Sequence, residues 1–69
     1  MKIEWVDGFE IRAAVKNNSI VISANREGML SLAKHLTALA DGEPGVHVHY
    51  DEYNSLGEGS AEIIIERVG

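Results

Sequence analysis

One stretch of this chain repeats at helical spacing. Met29, Leu32, Ala33, Leu36, Leu39 and Ala40 recur every three or four residues, which places them on one stripe of a helix. The other regular segments alternate with period two, as strands with one buried face do. A lone amphipathic helix must bury its stripe against something, and in 69 residues the available surface is a sheet.

Five segments carry the alternation. Lys2 to Val6 reads as a first strand, followed by Asp7-Gly8, a pair that tolerates the positive φ of a type I′ hairpin turn. Phe9 to Val15 is the second, with Phe9, Ile11, Ala13 and Val15 on one face. Asn17-Asn18 turns the chain into a third, Ser19 to Ser23, with Ile20 and Ile22 inward. Asn25 or Ser23 can cap the helix, and Glu27 suits the positive end of its dipole. Asp41-Gly42 and Pro44 end it, Gly42 being suited to a left-handed C′ position. Lys34, His35, Thr37 and Asp41 fall on the solvated side of that stripe. Gly45 to Asp51 and Ala61 to Val68 close the chain as two more strands. The expected fold is α+β, a mainly antiparallel five-stranded sheet with one helix packed on one face, in the order βββαββ. The strands flanking the helix are candidates for parallel neighbours through a right-handed crossover. Residues 1–69 form a single α+β domain in this reading, with no linker and no repeat.

A domain this small buries only about 60% of the surface its unfolded chain exposes. Disulfides and thiolate metal sites are excluded, since there is no cysteine. Support then comes from good packing, a partner chain or a histidine/carboxylate metal. The N-terminus has scattered charges and no apolar run, so no signal peptide and no membrane are expected, and the protein reads as cytoplasmic. A net charge of −5 disfavours nucleic acid and suits a basic protein partner.

The candidate chemistry centres on Val46 to Glu66. Val48 and Tyr50 face one way; His47, His49 and Asp51 face the other. Two imidazoles about 7 Å apart at Cβ can share an ion, with Glu62 or Glu66 supplying oxygen. A solvated pair bonded to nearby carboxylates is the favoured reading, so the metal reading of His47 and His49 is the alternative. Ser55, His47 and Asp51 can be written as a triad, but His47 and Asp51 on one strand are too far apart to touch. Gly57-Glu58-Gly59 carries an acid where a phosphate cradle would need none. No catalytic residue and no cofactor are therefore assigned. The sheet face opposite the helix mixes polar residues with Val21 and Ile64, as interfaces do. Tyr53 is a candidate aromatic anchor.

Two segments also resemble a known family. SANREGMLSLAKHLTALA and HVHYDEYNSLGEGSAEIIIE are similar to the immunity protein 32 family, small bacterial immunity proteins of polymorphic toxin systems. Ser23, Ala24, Asn25, Arg26, Glu27, Gly28, Leu30, Leu32, Ala33, His35 and Leu36 match its helix start. His47, His49, Asp51, Asn54, Ser55, Leu56, Gly59, Ser60 and Glu62 match its ending. Met29 and Tyr50 stand where that pattern has leucine. The resemblance implies an α+β domain that binds and neutralises a cognate protein toxin without catalysis. The expected partner-binding residues are Glu10, His47, His49, Asp51, Glu52, Tyr53, Glu62 and Glu66. Asn25, Arg26, Glu27, Gly28, Asn54 and Ser55 are expected to be structural, the helix start knotting to the loop at Asp51 to Ser55. The alternative functions are a small metal-binding domain using His47 and His49 with carboxylates, or a homodimeric regulatory domain with no toxin partner, and a homodimer is the alternative to a monomer.

Overall fold

A computed structural model describes Met1–Gly69. The element order is ββαββ: β1 Ile11–Lys16, β2 Ser19–Ala24, α1 Arg26–Asp41, β3 His47–Tyr50 and β4 Ile63–Glu66. The strands form two antiparallel two-stranded sheets, β1 with β2 and β3 with β4. This corrects the expectation of one five-stranded sheet in the order βββαββ.

The missing strand is Lys2 to Val6. Ile3 and Trp5 do pack against the core, but the segment's backbone bonds to helix side chains. Val6 N–H donates to Ser31 Oγ at 2.8 Å, and the Glu4 carbonyl accepts from His35 Nε2 at 2.7 Å. With those groups taken by α1, the segment is an extended strap on the helix and has no strand partner. The turn after it also differs. Phe9 N–H donates to Val6 O, and only Gly8 (φ +87°) has positive φ, the pattern of a type II turn. The type I′ turn is at Asn17-Asn18, both at positive φ, 49° and 66°, which matches the twist of the β1–β2 hairpin.

The two ladders are joined by a stitched seam. Gly57 N–H donates to Ile11 O and Ala61 N–H to Ala13 O, both at 2.9 Å. Between those bonds the chain turns back on itself, with Ser60 N–H on Gly57 O and Gly59 at φ +83°, so no continuous ladder forms. Nor do the strands flanking the helix pair: β2 bonds only β1, and β3 only β4.

Asn25 caps α1. Its Oδ1 accepts from Gly28 N–H at 2.8 Å and from Glu10 N–H at 2.9 Å, while its Nδ2 donates to Gly8 O. At the other end Gly42 is extended (φ −87°), not left-handed. The C-terminal carbonyls are satisfied instead by Arg67, whose guanidinium donates to Ala40 O and Gly42 O.

The buried side of α1 is Gly28, Ser31, His35 and Leu39. That is the apolar stripe read from the sequence, rotated by about 100°, one residue's turn. Met29 and Leu36 lie exposed as a result, and His35, expected in solvent, is 0% exposed. Ile11, Ala13, Leu39, Val48, Tyr50 and Leu56 form the core, with Trp5, Phe9 and Ile65 packed around it.

His35 sits in an aromatic box. Trp5 meets its ring edge-on at 4.4 Å between centroids and stacks on Phe9 at the same separation. The Glu4 carbonyl can only accept, so Nε2 carries the proton and Nδ1 accepts from the Tyr50 hydroxyl at 2.8 Å. Burial lowers the His35 pKa and raises that of Tyr50, so the neutral forms of both are favoured.

Candidate functional site

The β3–β4 ladder decides what reaches solvent. Its register sets His47 opposite Glu66, Val48 opposite Ile65, His49 opposite Ile64 and Tyr50 opposite Ile63. Residues directly opposite share a face. Val48, Tyr50, Ile63 and Ile65 therefore point to the core, while His47, His49, Ile64 and Glu66 form an outer row. The two imidazoles meet edge-on at 4.9 Å between centroids. His49 Nδ1 lies 3.5 Å from Glu62 Oε2, and His47 Nδ1–H donates to Gly45 O. An exposed contact of this kind contributes little to stability.

The structure thus brings together His47, His49, Glu62 and Glu66. Tyr53 stands in the turn after β3 with 92% of its surface exposed. Asp51 and Glu52 are in the same turn, but their carboxylates serve the loop. Asp51 Oδ1 accepts from Tyr53 N–H and Asn54 N–H, and its main-chain carbonyl from the amides of Asn54, Ser55 and Leu56. Glu52 Oε2 accepts from Gly59 N–H at 2.9 Å. Glu10 is elsewhere, at the entrance to β1, tied to Asn25.

The two expected structural groups close on separate partners. Asn25 and Gly28 engage the Gly8–Glu10 stretch. Asn54 Nδ2 donates to His49 O, and Ser55 Oγ donates to Asn54 Oδ1. Both motifs shape backbone, which explains their amide- and glycine-rich composition.

No group of three or more His, Asp or Glu side chains is arranged to hold a metal ion. A groove between the strap and α1 is open and is lined by both Lys34 and Asp41. No helix is long and apolar enough to cross a membrane.

Sequence reasoning missed Ser31, His35 and Arg67, each of which bonds main-chain carbonyls or amides far away in the chain. The available signal was the spacing Gly28, Ser31, His35, Leu39, which is itself helical.

The family model for Immunity protein 32 matches residues 19–68, from the start of β2 through β4 and including both backbone-shaping motifs. The chain belongs to the immunity protein 32 family. Comparison with curated proteins and with solved structures finds no match. Within the family match lie the helix cap, the Asp51 turn and the outer His/Glu row; the strap and β1 lie outside it.

Proposed function

We propose that this immunity-family protein binds and neutralises a cognate protein toxin by covering a basic surface, and does so without catalysis. The outer row of β3–β4 and the adjoining turn form the docking face, with His47, His49, Glu62 and Glu66 as its charged and polar part and Tyr53 as its anchor. One observation carries this assignment. From Glu43 to Glu66 the chain has six carboxylates (Glu43, Asp51, Glu52, Glu58, Glu62, Glu66) and no lysine or arginine. Concentrated negative charge around an exposed aromatic steers a cationic partner and then gives it a hydrophobic contact. Asp51 and Glu52 add field even while bonded within their turn.

Co-expression with the toxin of the neighbouring locus tests the role: cells that die regardless of this protein end the immunity reading. The face is tested separately. Glu62→Lys with Glu66→Lys should slow association by about tenfold at low salt and flatten its salt dependence. Both side chains are exposed, so the fold should persist by circular dichroism. An unchanged rate would move the binding surface elsewhere.

A further inference from the structure

β2 bonds only β1 and β3 bonds only β4, so each leaves one edge unpaired, and these two edges are unlike. The β3 edge is four residues long. A bulge bounds it at Gly45 (φ +97°), where Gly45 N–H donates to Arg67 O while Arg67 N–H donates to Val46 O. The Asp51 turn bounds its other end. The β2 edge runs over six residues in unbroken register and carries no charge, proline or bulge. Edge strands normally bear one of those devices, because a bare edge pairs with other chains.

The phase of the ladder fixes what β2 presents. Asn25 N–H bonds Glu10 O on the near side, and Ile11 and Ala13 turn their carbonyls away to the Gly57–Ala61 seam. Bonded pairs alternate along an antiparallel ladder, so they are Arg12–Ser23, Ala14–Val21 and Lys16–Ser19. Ile20 and Ile22 then point their N–H and C=O groups outward, unpaired. Their side chains lie on the helix side of the hairpin but beyond the helix, Ile20 being 75% exposed.

Ser19-Ile20-Val21-Ile22-Ser23 reads the same in both directions. We propose that β2 pairs with β2 of a second copy, antiparallel about a two-fold axis through Val21, giving a four-stranded sheet β1-β2-β2-β1. In that register Ile20 of each copy faces Ile22 of the other. Those are the residues with outward amides, so the pairing makes reciprocal main-chain bonds. Val21 meets Val21 in the non-bonded position, and Ser19 meets Ser23. A register with matching faces must shift by two residues, which would set Val21 against a serine and break the Ile20–Ile22 pairs. Self-pairing in this one register is what the palindrome selects over an unrelated strand.

Charge allows it. The hairpin has Arg12 and Lys16 and no acid, so the acidic remainder of each copy lies away from the seam. Lys16 comes no nearer to Arg12 of the second copy than three strand spacings, about 14 Å, beyond the screening length at physiological salt. On the helix side, Met29 and Leu36 supply further exposed apolar surface, on the α1 flank away from the strap. An interface of this size falls below about 1,200 Å², so association is weak and concentration-dependent.

Sedimentation equilibrium over a wide concentration series tests the proposal. The mass should rise from 7.5 kDa toward twice that value. Val21→Lys places like charges directly opposite and should weaken the dimer by about tenfold or more, with the monomer's circular dichroism unchanged. The chain has no cysteine, so Val21→Cys gives a clean second reading. On oxidation it should cross-link to itself, whereas Ser23→Cys, facing Ser19, should not. A parent that stays at 7.5 kDa throughout overturns the proposal. So does a Val21→Lys variant that associates as well as the parent, or a Val21→Cys variant that cross-links no faster than Ser23→Cys. If Val21→Lys perturbs the fold, the cysteine pair decides alone.

Discussion

Gly28→Ala is expected to lower stability by about 3 kcal/mol, a fall in Tm of about 15 °C in a thermal melt followed by circular dichroism. The direction is opposite to helix propensity, which favours alanine over glycine by about 1 kcal/mol. A Cβ at Gly28 would stand 2.5 Å from the Glu10 carbonyl oxygen, 2.9 Å from Ala24 Cβ and 3.0 Å from Ile11 Cγ1. The first of these is backbone, and the Ala24 methyl has no rotamer to change. Nor can the Glu10 carbonyl retreat cheaply: it accepts from Asn25 N–H, while Asn25 Oδ1 holds Glu10 N–H and Gly28 N–H together. Moving one member loosens the helix cap and the entry to β1 at once. A variant as stable as the parent would show that the first turn of α1 does not rest on the Glu10 main chain.

His35→Ala is expected to cost about 4 kcal/mol, enough to leave a domain of this size largely unfolded at room temperature. The substitution opens a void beneath Trp5, and it leaves the buried Tyr50 hydroxyl and the Glu4 carbonyl without their partner. The same residue makes the fold acid-sensitive. Desolvation by burial holds the folded pKa of His35 below its ordinary value, against the opposing pull of the bond to Glu4. Unfolded, it takes a proton near pH 6.5. Between those two values the unfolded state binds more protons, so stability falls as pH falls. His35's contribution is complete above about pH 6.5 and is lost as pH drops through the folded value. Urea melts at stepped pH should show this slope above the range, near pH 4, where carboxylates titrate. His35→Gln keeps one acceptor and one donor; it should be less stable than the parent and lose that slope. A slope that survives in His35→Gln would assign the acid limb to other groups.

The local signals in the sequence were strong where a short stretch decides its own conformation. The turn at Asn17-Asn18, the Asn25 cap and the inward and outward rows of β3 and β4 all depend on residues a few positions apart, although the I′ geometry falls at Asn17-Asn18 and not at Asp7-Gly8. The strap was not legible for a different reason. Lys2 to Val6 has a strand's alternation, and nothing within it records that Ser31 and His35 would take its backbone groups. The rotation of α1 has the same origin. Leu36 is more apolar than His35, yet the interior received the histidine because Tyr50 and Glu4 satisfy both of its nitrogens.

The candidate face divides along the same line. That His47 and His49 share one face follows from period two alone, as does the pairing of Glu62 with Glu66. That these two rows meet, with His49 3.5 Å from Glu62, required the ladder register. That Asp51 and Glu52 turn inward on their own loop required its tertiary path. By itself the sequence determined the α+β class, the helix with its cap, two hairpin strands, the acidic run from Glu43 to Glu66 and the family. Only the tertiary structure decided which side of α1 is buried, where the N-terminal segment binds and which strand edge stays bare. Alternation and capping are energies of neighbouring residues, whereas a buried hydrogen bond or a free edge depends on groups that the chain brings together from far apart.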